Sequence, residues 1–225
     1  MTENTRKRTS GPWIWTLLVV LSALVLLVGG VALWDQPVLE AVRAGAGKEW
    51  RSLAKLLSRY GDFPWLLGAG IAGLGVCLRC NRREWARIFT AMVLAGVFAG
   101  LLSNAVKLGT GRVRPRVESV AHGWYGPVHA GEWVSLRHEF QGFPSSHAAC
   151  AFGFFLPLFL SRRAAGTVGL VAAAAIAWSR VQLNAHHVSD VAAGTLLGVI
   201  AGWLVWRWIV ERGGLARWLG TPQDS

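Results

Sequence analysis

The chain has 225 residues, enough for one domain; 53% of them are hydrophobic and 16% charged, with mean hydropathy +0.39, a balance beyond that of soluble domains that points to a membrane protein. Lys and Arg outnumber Asp and Glu by 23 to 12, an excess that suits nucleic acid, anionic lipid or an anionic substrate. No soluble basic stretch interleaved with aromatics exists to form a nucleic-acid surface, so nucleic acid is set aside as a partner, and three cysteines, with Cys77 and Cys150 in apolar runs and no further ligands beside Cys77 and Cys80, imply neither a disulfide framework nor a zinc site.

Residues 1–12 read as a cytoplasmic tail whose Arg6, Lys7 and Arg8 precede the first apolar run, residues 13–34, which carries Trp at both ends like an interfacial belt. That run is too long for a signal-peptide core and lacks a small-x-small cleavage site, so it is expected to be a retained span. Residues 35–62 follow as an amphipathic, mixed-charge helix. Further runs at 63–78, 88–106, 148–160, 164–183 and 188–210 bring the expected count to six, since about 20 residues of helix cross the hydrocarbon core. The run 148–160 is short, and Pro144, Ser145 and Ser146 are expected to start its helix earlier, with the polar end sunk in a protein cavity. Ala172 to Ala175, Gly194, Gly198 and Gly202 provide small residues for close helix contact.

The fold class expected is therefore all-α: a six-transmembrane helical bundle, one domain over residues 13–210 with a short cytoplasmic tail at 211–225. Raw counts of basic residues on the two sides are nearly even, so density decides the orientation. Arg79, Arg82, Arg83 and Arg87, with Arg162 and Arg163, mark the cytoplasmic connectors of an inner-membrane protein, and both termini fall on that side. The long stretch 107–147, between spans three and four, is then extracytoplasmic. A polar loop of that length in a compact protein is functional or disordered, and its Trp, Tyr and Phe content favours function.

Three polar clusters interrupt the apolar chain on that one face. The first, Lys107-Leu-Gly-Thr-Gly-Arg112-Val-Arg114-Pro115, ends the third span. The second, Phe143-Pro144-Ser145-Ser146-His147, starts the fourth. The third, from Ser179-Arg180 to His186-His187-Val-Ser-Asp190, joins the fifth to the sixth. Their residue types suit phosphoryl transfer, which asks mainly for positioning and charge neutralisation. Lys107, Arg114 and Arg180 supply three cations, each worth about 4 kcal/mol at ~4 Å from a phosphate charge at an effective dielectric near 20. Ser145 and the backbone N–H groups of Ser146 and His147, at a helix start, suit an anion nest.

A nucleophile and a proton donor for the leaving oxygen are also needed, and imidazole serves as either near neutral pH. His186 and Asp190 are spaced i, i+4, so that on a helix the carboxylate reaches the far ring nitrogen and fixes the attacking tautomer. His147, on a separate segment, is free to be the general acid. His187 lies three residues before Asp190, also a helical spacing. Arg112 and Arg116 flank the phosphate cluster and suit either a second phosphate or lipid headgroup, or a solvated loop face. His122, His129 and His138 read as solvated or substrate-proximal loop residues.

At these residues the chain resembles the type 2 phosphatidic acid phosphatase family, whose site is shared with vanadium haloperoxidases. The family pattern, K-x6-RP, PSGH and SR-x5-H-x3-D, is met by Lys107, Arg114 and Pro115, by Pro144, Ser145, Ser146 and His147, and by Ser179, Arg180, His186 and Asp190. One departure is Ser146 in place of the usual Gly, read as a mild variation that keeps the N–H donor. The resemblance implies His186 as nucleophile rather than His187, His147 as acid, Asp190 as orienter, and Lys107, Arg114, Ser145, Ser146 and Arg180 as phosphate ligands, with no metal and no cofactor. It also implies a membrane-bound lipid phosphate or pyrophosphate substrate: phosphatidic acid, phosphatidylglycerol phosphate, undecaprenyl pyrophosphate or a phosphorylated glycolipid such as lipid A. Two other classes share parts of the pattern. An anion-binding or transport protein has no use for the paired histidines, and a haloperoxidase-like vanadate enzyme gains nothing from a bilayer.

Overall fold

The computed structural model describes residue 29, residues 31–45 and residues 47–211; most of the first expected span lies outside the described residues. Where one amphipathic helix was expected over 35–62, the chain makes two, α1 (Asp35–Arg43) and α2 (Arg51–Tyr60), the second entered through a 3-10 turn at Lys48–Trp50. Asp62 then starts α3 (Phe63–Arg79). Its backbone is extended and its Oδ1 accepts the Phe63 N–H at 2.8 Å, satisfying one of the donors that a helix start leaves open. The Lys48–Tyr60 segment and α3 meet at a bend of 55°.

α4 (Arg83–Thr110) is 28 residues long and carries Lys107 in its last turn. It stops at Gly111, which turns left-handed at φ +56°; a Cβ there would stand 1.9 Å from the Gly126 carbonyl oxygen, so only glycine fits. The loop 111–145 that follows is ordered around its own small core of Val113, Val134 and Phe140, with Val117, Val120 and Tyr125 packed on it. A two-stranded antiparallel ribbon, β1 (Val128–His129) and β2 (Glu132–Trp133), and two 3-10 turns complete it. Of the aromatic residues noted in the sequence, Phe140 and Tyr125 join valines in this miniature core.

The chain returns through α5 (Ser146–Ser161), α6 (Arg163–Gln182) and α7 (Val188–Trp206), the last extended by a π turn at Arg207–Glu211. α5 starts at Ser146, as its Ser-rich lead suggested. It lies in the middle of the bundle, packed against α4, α6 and α7. Leu66, Ile88, Met92, Ala151, Phe154, Ala173 and Ile176 form the principal buried cluster. Between helices in a bilayer the lipid offers no hydrophobic penalty to escape, so close packing of small residues has to hold the pair. α7 meets this with Gly194, whose missing Cβ would stand 2.3 Å from the Ser145 carbonyl oxygen, followed along the same face by Gly198 and Gly202. The two helix starts are thereby pressed together, and the Ser145 N–H donates to the Asp190 carbonyl at 2.9 Å.

Among the described residues, α4, α6 and the segment Val188–Val210 are long and apolar enough to cross a membrane; the bent pair of α2 and α3 makes a fourth if taken as one span. α5 is apolar but shorter.

Candidate active site

All three polar clusters converge at one end of the bundle. Lys107, buried in the last turn of α4, donates from Nζ to the Ser146 hydroxyl. Ser103 Oγ lies 3.0 Å from that same oxygen, which donates on to Asn104 Oδ1 at 3.2 Å. The serine that stands in place of the usual glycine therefore adds a contact: its hydroxyl accepts from Lys107 and ties the first cluster to the second.

After Gly111 the chain runs extended and is bonded from both sides: Val113 N–H to the Gly123 carbonyl, Arg114 N–H to the Glu139 carbonyl, and Gly142 N–H to the Arg112 carbonyl. Arg114 is buried, and its Nε donates to the His138 carbonyl at 2.9 Å. Burial, then the charges of Arg116 and Arg180, pull Arg114 down to about 10, so it stays a cation at neutral pH. The charge of Arg114, followed by burial and then Arg116, holds the His138 imidazole below its ordinary value. Arg112 does not face a ligand. It is buried, stacked 4.7 Å from the Trp124 ring and bonded to the Asp35 and Asp190 carboxylates, so neither the second phosphate nor the solvated face expected of it applies.

Ser145 is the N-cap of α5, fully buried, and the first-turn N–H groups of Ser146 and His147 have no acceptor within the helix. Arg180, near the end of α6, donates from Nη1 to the Ser58 hydroxyl. The Ser145 hydroxyl and the Arg180 Nε are both buried without a hydrogen-bond partner among the described residues. Such groups cost about 1–3 kcal/mol each when left unpaired, a cost that a bound anion would relieve.

His186 lies in the short connector between α6 and α7, buried. Its Nδ1 stands 2.6 Å from the Gly142 carbonyl oxygen. A carbonyl only accepts, so Nδ1 carries the proton. Burial, which outweighs the nearby Asp190 charge, pushes this histidine down to about 3, so the ring is neutral and Nε2 keeps its lone pair. The positive charges of Arg114 and Arg180 act in the same direction, lowering it further.

The expected partnership of Asp190 with His186 needs correction. His186 is not on a helix with Asp190, because His187 is the extended N-cap of α7. Asp190 Oδ2 accepts the His187 N–H at 2.7 Å, lies 3.3 Å from His187 Nδ1, and stands 3.7 Å from His186 Nδ1, beyond hydrogen-bond reach. The carbonyl of Gly142 orients the His186 ring, and Asp190 contributes charge rather than a bond. His147, in the first turn of α5, places Nε2 3.4 Å from Asp62 Oδ1.

Several polar residues at the site were not singled out in the sequence: Ser103 and Asn104 on α4, and Asp35, Ser58 and Asp62, all within the segment 35–62 read as an amphipathic, mixed-charge helix. Only Asp62 carried a usable signal, an acidic residue directly ahead of a Phe-Pro helix start. Of the loop histidines, His122 approaches His187 with ring centroids 6.2 Å apart, and His129 packs on Tyr125.

Comparison with known proteins bears on the whole arrangement. Residues 85–213 match the family model of the PAP2 superfamily. The lipid A 1-phosphatase of Rhizobium etli is 30% identical over 203 residues, covering 85% of this chain and 81% of that protein. The lipid A 1-phosphatase of Rhizobium johnstonii is 29% identical, covering 83% and 76%. Among solved structures, a transmembrane PAP2 type phosphatidylglycerolphosphate phosphatase from Bacillus subtilis has the same fold, with a TM-score of 0.62 at 20% identity over 93% of this chain and 98% of that one.

Proposed function

We infer, because the chain belongs to the PAP2 superfamily and is a membrane phosphatase of that type, that it removes phosphate from a lipid through a phosphohistidine on His186. The observation that carries this reading is the bond from His186 Nδ1 to the Gly142 carbonyl, which leaves Nε2 of a neutral imidazole as a nucleophile beside Arg114 and Arg180. In the first step Nε2 forms a bond to phosphorus as the bond to the lipid oxygen breaks, and His147 gives that oxygen its proton. In the second, His147 takes a proton from water as the water oxygen attacks phosphorus, releasing inorganic phosphate and restoring His186. Lys107, Arg114, Arg180, Ser145 and the N–H groups of Ser146 and His147 hold the phosphoryl oxygens, and Asp190 balances the charge that His186 acquires.

Among lipid phosphates, a glycolipid phosphate of the lipid A kind is favoured by the two relatives, matched over 81% and 76% of their lengths, that carry that activity in their names; phosphatidic acid, phosphatidylglycerol phosphate and undecaprenyl pyrophosphate are the competing substrates. The reading extends to topology: six spans in one domain over residues 13–210, in the inner membrane, with the site extracytoplasmic and residues 1–12 and 211–225 in the cytoplasm. The density of Arg around residues 79–87 and at Arg162 and Arg163 supports that orientation.

The test is phosphate release by the detergent-purified full-length chain from each of the four lipids, with and without EDTA. Release is expected to be undiminished by the chelator, because the charge neutralisation that a metal would give is supplied by three side-chain cations. An absolute requirement for Mg²⁺ would contradict the mechanism.

A further inference from the structure

Asp35 lies ahead of the family-matched segment, and among the described residues its hydrogen bonds go to Ser189 and Arg112 rather than to the proposed phosphate ligands or His147, yet it is buried at the foot of the site. Its Oδ1 accepts the Ser189 N–H at 2.9 Å, and its Oδ2 accepts the Ser189 hydroxyl at 2.5 Å and Arg112 Nη2 at 2.8 Å. The other arm of that guanidinium, Nη1, donates to Ser189 Oγ at 2.7 Å and to Asp190 Oδ1 at 2.5 Å. One cation is therefore divided between two carboxylates, which is not its preferred geometry, since a planar fork meets a single carboxylate with both arms. Asp35 prevents that pairing. It leaves Asp190 Oδ2 on the histidine side, bonded to His187 and 3.7 Å from His186 Nδ1.

The charges make the same point. Asp35 and Asp190 against Arg112 leave one net negative charge, buried at the positive end of α7. A buried pair of Arg112 and Asp190 alone would be neutral. His186 becomes cationic when a phosphoryl group bonds to Nε2 while Nδ1 keeps its proton, so the surplus negative charge matters only during the reaction and not while the ring is neutral.

We propose that Asp35 is a positioning residue which, by holding one arm of Arg112, keeps Asp190 facing the catalytic histidines and keeps the cluster negative against the phosphorylated His186. The proposal rests on the phosphohistidine reading given above and adds to it a residue from the N-terminal third of the chain.

The test compares full-length wild type, Asp35→Asn and Ser189→Ala in detergent, on a lipid phosphate that the wild type hydrolyses, with melting temperature measured alongside. For Asp35→Asn, kcat is expected to fall roughly 10- to 100-fold, the range found for residues that orient a site from behind it, with KM within about threefold. Ser189→Ala, which keeps both carboxylates and removes one tether, is expected to show a smaller fall of the same kind. Asp35→Asn with wild-type kcat overturns the proposal. So does a fall in activity that only tracks loss of folded protein while Ser189→Ala, melting normally, keeps wild-type kcat. Absence of activity in the wild type would instead overturn the functional reading itself, which keeps the two failures apart.

Discussion

His186→Ala is expected to lower kcat by roughly 10³-fold or more, the scale on which removal of one member of a concerted catalytic group acts. The size follows from what the residue alone provides. Among the described residues, His186 is the histidine whose Nδ1 is held by the Gly142 carbonyl, at 2.6 Å, so that a neutral ring presents an unprotonated Nε2 in a fixed direction. His187, the neighbour with the competing spacing, is bonded to Asp190 through both its N–H and its Nδ1 contact and serves as the N-cap of α7, so it is not placed to substitute. Because His186 is uncharged well below neutrality, the loss should be similar across about pH 5 to 8, the window in which an ordinary histidine would change charge. Steady-state phosphate release at several pH values measures it. A variant with more than a tenth of wild-type activity would exclude His186 as the nucleophile.

Arg180→Ala carries the second large effect, a fall in kcat/KM of roughly 10²- to 10³-fold, comparable to removing a donor aimed at developing charge. Arg180 is buried and is held by Ser58 through Nη1, so its Nε is presented in a fixed direction with no partner among the described residues. Lysine should rescue little, since a single ammonium cannot be tied to Ser58 and also present a second donor in the plane of the fork. Kinetics of Arg180→Ala and Arg180→Lys on the same lipid check this. Recovery by Lys to near wild-type rate would mean that Arg180 acts as a distant charge only.

The residues that could be found in the sequence were those whose spacing is imposed by the chemistry. Lys107, Arg114, Ser145, His147, Arg180 and His186 stand on three segments, and the periodicity of the apolar runs was enough to bring their ends to one face. What spacing could not convey was how the backbone ran between them. The i, i+4 relation of His186 and Asp190 suggested a helical pair, but the helix begins only at Val188, and the bond that orients His186 comes from the carbonyl of Gly142, which carries no side-chain signal. Arg112 was ambiguous for a similar reason: an arginine beside a phosphate cluster looks like a ligand until its two carboxylate partners, 77 and 78 residues away, are seen. Asp35, Ser58 and Asp62 were hidden by an amphipathic pattern that describes their neighbours well. Among the described residues the helix boundaries moved little, except that the 35–62 segment broke in two and α4 outran the apolar run 88–106 at both ends, from Arg83 to Thr110.

The most direct test of the account is to mix the purified enzyme with its lipid phosphate, quench in alkali, where phosphohistidine survives, and map the phosphoryl group by mass spectrometry. The account predicts a phosphoryl group on His186 that appears before free phosphate and is missing from His186→Ala. Turnover with the group on His147, or on no histidine at all, would contradict it.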